Sequence, residues 1–326
     1  MVPHSTVHLE ALLKRIQESG DILASGHAAL RCADAHAASG SAAREWHFLR
    51  VACEALVLCG AFTAALSTSA RMVASAYTEA DDVALGRSLT LQAVALRCKR
   101  HFEPATEAGR RAVQLLDNAG AHPEYQAEAV QALISALADA GAMSEAWQYH
   151  ARLAALLDGL LDENKAGKGF WTLGNLAFLA GHGETGAAYH ARAGALLSPA
   201  NDVHQWARFN KSSADLQLQA GIANQQTQDC IERAVLAYRS FEPGPSARLG
   251  LTVTYARWLH AVGRSGEALA TLEDGAVANS TLEPAELVPA YSLWADVLES
   301  LHRPQEAEHF RNRALQYELI SREEEH

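Results

Sequence analysis

A chain of 326 residues with 49% hydrophobic content has ample material for a buried core, which excludes disorder. Its formal net charge is −11 and its Lys and Arg residues are scattered, so it carries no electrostatic footprint for a nucleic-acid backbone or an anionic membrane. Aromatic residues make up only 7% and alanine dominates the apolar set, which favours closely packed helices over sheet.

The five cysteines, Cys32, Cys53, Cys59, Cys98 and Cys230, are odd in number and mostly set in apolar helical contexts. Reduced thiols and a cytoplasmic location follow as expectations. Cys53 and Cys59 lack paired metal-ligand spacing, and neither a metal nor another cofactor is expected. The first ten residues have no basic start followed by an apolar run, and no apolar segment approaches the length of a membrane span.

Along the chain one helix-turn-helix unit recurs. The first unit, 5–40, turns at Gly20, the second, 45–80, at Gly60, the third, 85–122, at Arg100, and the fourth, 126–162, at Gly141. The fifth, 166–200, turns at Gly181, the sixth, 206–242, at Gly221, the seventh, 248–280, at Gly263, and the eighth, 287–320, at His302. Successive markers are 40, 40, 41, 40, 40, 42 and 39 residues apart, and a nearly fixed step is the signature of a repeat array. Residues 1–320 are read as one such domain, followed by a frayed acidic tail, 321–326. Connections are expected at Asn118 to Pro123, at Phe241 to Pro245 and at Asn279 to Pro289.

Within the units, small residues predominate seven before the marker (Cys53, Ala93, Gly174, Ala214, Ala256, Ala295) and five after it (Ala65, Ala105, Ala146, Gly186, Ala268, Ala307). That is the composition expected where two helices cross closely. Four before the marker, Leu56, Leu96, Leu137, Leu259 and Leu298 supply apolar fill. In the sixth unit Gln217, Gln226 and Arg233 break the pattern, and a slip of one residue after the turn brings Thr227, Ile231 and Ala234 into register instead.

Phe170 to Pro199 carries Leu173-Gly174, Ala177, Gly181, Ala193 and a closing proline. Gly263 to Leu269 reads Gly-Arg-Ser-Gly-Glu-Ala-Leu, and Tyr291 to Leu315 contains Trp294-Ala295, Leu298, Glu306-Ala307 and Ala314. With these features the unit resembles the tetratricopeptide repeat, although the family step is about 34 residues. The resemblance implies an all-α fold: a right-handed α-solenoid, or superhelix, of about eight repeats whose first helices line a concave face.

By the same resemblance, the concave residues stand 13, 10 and 6 before each marker, with weaker positions 3 and 2 before it. The candidate binding residues are then Arg50, Glu54, Arg87, Arg97, Gln131, Lys168, Trp171, Asn175, Phe178, Arg208, Lys211, Asp215 and Arg257. Asn and Gln pair with peptide groups, Arg and Lys take carboxylates, and Trp171 covers an apolar side chain. Asparagine at the position of Asn175 recurs in peptide-holding members of the family. Trp171, however, stands where a chaperone-binding carboxylate clamp wants lysine, which disfavours a chaperone C-terminus as partner.

Other motifs carry less. Gly181-His182-Gly183-Glu184-Thr185-Gly186 matches a dinucleotide-binding glycine pattern but follows an apolar helix and belongs to the repeat turn. His4 and His8 lack a zinc-protease partner set, and no catalytic triad order is recognisable. The expected function is therefore a non-enzymatic scaffold that holds a peptide or protein segment in its concave groove, with self-association possible. The alternative is a ligand-responsive bacterial regulator, resembling peptide-pheromone sensors and acting on a separate output partner.

Overall fold

The computed structural model describes residues 6–276 and 282–324. Among the described residues, eight helix pairs follow one another. In the first four, α1 (Thr6–Ser19) pairs with α2 (Ile22–Ala38), and α3 (Ala42–Leu58) with α4 (Phe62–Val73), which is followed by the single turn α5 (Ala76–Glu79). Next come α6 (Asp82–Cys98) with α7 (Phe102–Asn118), and α8 (Pro123–Asp139) with a helix broken at Tyr149 into α9 (Met143–Gln148) and α10 (His150–Asp158). The later pairs are α11 (Glu163–Leu179) with α12 (Gly183–Leu196), α13 (Val203–Gln219) with α14 (Gln225–Tyr238), α15 (Pro245–Ala261) with α16 (Ser265–Ala276), and α17 (Pro284–Ser300) with α18 (Pro304–Glu324).

From α3 onward, every first helix starts ahead of its expected unit, at 42 rather than 45, 82 rather than 85, and so on through 284 rather than 287. Capping sets these starts. The side chains of Asp81, Asp162 and Asp202 each accept a backbone N–H three residues on, at 2.9 Å, while Pro123, Pro245 and Pro284 open their helices where a missing N–H costs nothing. Each of these first helices is 17 residues long, so the step beyond the family's length goes into helix rather than loop.

All eight markers have positive φ, from 58° at His302 to 81° at Gly181 and Gly263. The N–H of the residue after the marker returns to the carbonyl four before it: Ala61 to Leu56, His101 to Leu96, Ala142 to Leu137, His182 to Ala177, Ile222 to Gln217, Arg264 to Leu259 and Arg303 to Leu298, at 2.8–3.0 Å. Arg100 and His302 adopt the same left-handed turn without the freedom of glycine.

Helix crossings form where small residues were expected. Cys53, Ala65, Ala105, Ala146, Ala214, Ala256 and Ala268 are wholly buried, and a β-carbon on Gly186 would stand 2.7 Å from the Phe178 ring. The one-residue slip in the sixth pair holds, because Thr227, Ile231 and Ala234 are buried. Gln217 is buried there too; it accepts from Thr227 Oγ1 at 2.8 Å and donates to Ser213 Oγ at 3.0 Å, which meets the need of a buried amide for partners.

The chain divides into two compact units, Met1–Leu176 and Ala177–His326, with α11 contributing to both. In the first unit, one core cluster gathers Leu13, Cys32, Leu49, Cys53, Leu56 and Met72; in the second, Leu249, Trp258, Leu259, Leu287, Leu293 and Leu298 form the corresponding core.

Two further boundaries differ from expectation. Pro284 opens α17 and Pro289 lies inside it, so the connection ends before residue 284, while Asn279 lies outside the described residues. α18 continues to Glu324, with Arg322 donating to Glu318 at 2.7 Å, so the expected tail is helical over its described part; Glu325 and His326, like His4, lie outside the described residues.

Candidate functional site

In the first unit, three of the candidate concave side chains, those of Arg87, Arg97 and Gln131, tie neighbouring first helices together. The Arg87 guanidinium of α6 lies 3.9 Å from the centre of the Tyr125 ring on α8 and 5.5 Å from that of Trp46 on α3. Trp46 itself donates to Ser88 Oγ at 2.8 Å. Arg97 pairs with Asp139 at 3.0 Å, and Gln131 on α8 donates to Thr172 Oγ1 on α11 at 2.8 Å and to the Lys168 carbonyl at 3.4 Å. Arg50 and Glu54 pair along α3 at 2.5 Å. Lys168, Trp171 and Asn175 are half-buried on α11, at spacings that put them on one side of that helix.

A further link in this unit was not foreseen. Lys165 reaches Glu124 and, at 2.7 Å, Glu128. Burial pushes its ammonium down, but the two carboxylates outweigh it and hold the pKa above its ordinary value.

In the second unit, Phe178 packs into the crossing of α11 with α12, its ring centre 5.2 Å from that of His190, so its contacts there are internal. Arg208 stands exposed on α13. Lys211, Asp215 and Arg257 come together in a cleft of about 310 Å³ walled only by first helices: α13, α15 and α17. Gly250, Val253 and Pro289, which occupy expected concave positions, line it with them, and Leu249 adds apolar wall.

The polar groups of this cleft are not equivalent. Arg257 donates to Asp215 across α13 and α15, and Gln219 donates to the other Asp215 oxygen at 3.0 Å, so that carboxylate is satisfied. Glu286 accepts the Glu283 N–H at 3.2 Å, completing the cap of α17. Lys211 has no ion-pair partner among the described residues. The cleft therefore offers one uncommitted ammonium, an ordered ion pair and an apolar wall.

Ser246 and Glu286 line the cleft without having been foreseen. They sit one helical turn before the expected concave positions, and the proline starts of α15 and α17 were the signal that these helices extend that far. Among the described residues, no group of three or more His, Cys, Asp or Glu is placed to hold a metal ion, and no helix is long and apolar enough to cross a membrane.

No protein-family model and no curated protein sequence matches the chain. Solved structures do. A Rap protein complexed with competence and sporulation factor superposes with a TM-score of 0.61 at 12% identity, over 96% of this chain and 93% of that one. The apo form of the quorum sensor NprR from B. thuringiensis gives 0.63 at 12% identity, over 96% and 87%. A signal-transduction ATPase with numerous domains from Pyrococcus horikoshii, which carries a tetratricopeptide repeat sensor, gives 0.62 at 14% identity over 97% of this chain; the chain spans about half of its length, 48%. With its eight helix pairs, left-handed turns and alanine-lined crossings, this chain has the fold of a tetratricopeptide-type repeat array.

Proposed function

We propose that this protein is a non-enzymatic, cytoplasmic binding scaffold that holds a peptide or protein segment against its first helices, in the cleft of Lys211, Asp215 and Arg257. The observation that carries this reading is the Lys211 ammonium, without an ion-pair partner among the described residues, in a cleft whose Asp215 is paired with Arg257 and whose Glu286 is engaged in the cap of α17. A segment carrying a carboxylate meets Lys211, and an apolar neighbour covers Leu249 and Val253. Trp171 and Asn175 are proposed to contribute separately on α11. An acidic chain without a basic patch argues against nucleic acid as the direct partner.

The test is selection of displayed, unstructured peptides on the purified chain, followed by calorimetric titration of those recovered. Peptides bearing an acidic group and binding Lys211→Ala at least ~10-fold more weakly, with helical content unchanged, support the reading. Undiminished binding to that variant removes the cleft from it.

One observation favours the regulatory alternative. Two of the similar folds belong to a Rap protein bound to competence and sporulation factor and to a quorum sensor. On that reading this protein is a bacterial signalling component whose ligand alters what its outer helices contact.

A further inference from the structure

We propose that the first-helix cleft takes a dipolar segment: an extended stretch of a partner chain with an acidic and a basic side chain two positions apart, the acid on Lys211 and the base on Glu286. This rests on the reading of that cleft as the binding site and adds to it the second charge its ligand carries. Lys211 and Glu286 stand on opposite walls, α13 and α17, with α15 between them. Both are half-buried, and neither has an ion-pair partner among the described residues.

The cleft is balanced in charge, and that balance is what selects a dipole. Asp215 and Arg257 pair with each other, so one acid and one base cancel within its walls. Lys211 is left with Glu286. The Glu286 carboxylate accepts a backbone N–H at 3.2 Å, a neutral donor that leaves its charge in place. A segment with an acid alone satisfies Lys211 and meets like charge at Glu286, and one with a base alone does the reverse. A segment with both finds an opposite charge at each wall.

Helix geometry sets the spacing. The Lys211 ammonium lies over Gly250 on α15, where a β-carbon would stand 3.4 Å from Nζ. Gly250 and Pro289 each stand 13 residues before their turn, so they hold the same place in successive first helices, and Glu286 lies ~4.5 Å before Pro289 along α17. The gap to be spanned is then about one interhelical distance, ~8–10 Å. In an extended chain, side chains two positions apart point the same way and stand ~7 Å apart, and the length of Glu, Lys or Arg takes up the difference. Leu249 and Val253, on the helix between the two charges, give that segment an apolar wall to cross.

The experiment uses the full chain and displayed, unstructured ten-residue peptides in which two positions, i and i+2, vary over Glu, Lys and Gln. Peptides with one Glu and one Lys, in either order, should be enriched. In calorimetric titration the recovered peptide should bind Lys211→Ala and Glu286→Gln each about tenfold more weakly. Gln also serves at this position of a capping box, so Glu286→Gln should keep the thermal unfolding of the wild type. The same peptide with its Lys replaced by Gln should bind Glu286→Gln more tightly than it binds wild type, a reversal that misfolding does not produce. Leu236→Gln, at an exposed residue of α14 that lines no part of the cleft, should bind as wild type does. If Lys211→Ala weakens binding and Glu286→Gln does not, or if peptides with Glu alone are enriched, the dipolar ligand is overturned and the acidic-segment reading of the cleft stands. If neither variant weakens binding, if Leu236→Gln weakens it as much as they do, or if peptides with Lys alone or none at all are enriched, both are overturned.

Discussion

A β-carbon on Gly250 would stand 3.3 Å from Lys211 Cε and 3.4 Å from its Nζ, so the lysine of α13 rests on α15 at a residue that has no side chain. Gly250→Ala should shift this ammonium from its seat by a few tenths of an ångström, because a lysine stem yields more readily than a helix. The alanine also favours helix by up to ~1 kcal/mol. Thermal unfolding should show equal or greater stability while affinity for a selected peptide falls, so a binding loss with no stability loss is the expected result.

The left-handed turns at Arg100 (φ 61°) and His302 (φ 58°) carry a cost the glycine turns do not. Replacing either residue with glycine should stabilise the chain by ~0.5–1 kcal/mol, the relief of the left-handed penalty less the entropy glycine adds to the unfolded state. Gly181→Ala should move stability the other way by ~1 kcal/mol. Chemical denaturation of the three variants measures both signs.

Gly186 faces the Phe178 ring at a distance no β-carbon tolerates. Gly186→Ala should therefore destabilise by ~1–2 kcal/mol, overpacking outweighing the better helix propensity of alanine.

Much of the fold was legible because the repeat made each turn predict the next. Gly20, Gly60, Gly141, Gly181, Gly221 and Gly263 all take positive φ, and Gln217 failed to break the pattern because Thr227 and Ser213 satisfy its amide. Helix starts were less legible: the units were aligned on their turns, and the capping signals at Asp81, Asp162 and Asp202 lie upstream of them. For the candidate residues, the helix each one stands on was legible in the sequence, and its role was not. Arg87, Arg97 and Gln131 stand on first helices as expected yet spend their polar groups on neighbouring helices, and a periodic pattern does not distinguish a side chain that bridges repeats from one that awaits a ligand.

Thiol reactivity should separate two cysteines six positions apart. Burial pushes the Cys53 thiol up to about 12, and its Sγ donates to the Ala65 carbonyl at 3.5 Å, whereas Cys59 is exposed. At neutral pH iodoacetamide should label Cys59 within minutes and leave Cys53 unlabelled until the chain unfolds, as read by mass spectrometry.

Glu10 makes a pH-dependent contribution. Burial pushes its carboxyl up, but hydrogen bonds from Arg44 at 2.6 Å and His36 at 2.8 Å outweigh it and hold the carboxyl below its ordinary 4.5. A lowered folded pKa stabilises fully above the unfolded value, and the effect is lost as pH falls below 4.5 and through the folded value. Because Arg44 is half exposed, Glu10→Gln should cost only ~0.5–1 kcal/mol at neutral pH, with variant and wild type converging in acid.

The central claim concerns where the partner lies. A photoreactive benzoylphenylalanine placed at Ser246, on the rim of the Lys211 cleft, tests it most directly when a selected extended peptide is bound. The account predicts a crosslink from position 246 that is lost in Lys211→Ala, and none from the same probe at Leu236. A crosslink from 236 with none from 246 would contradict it.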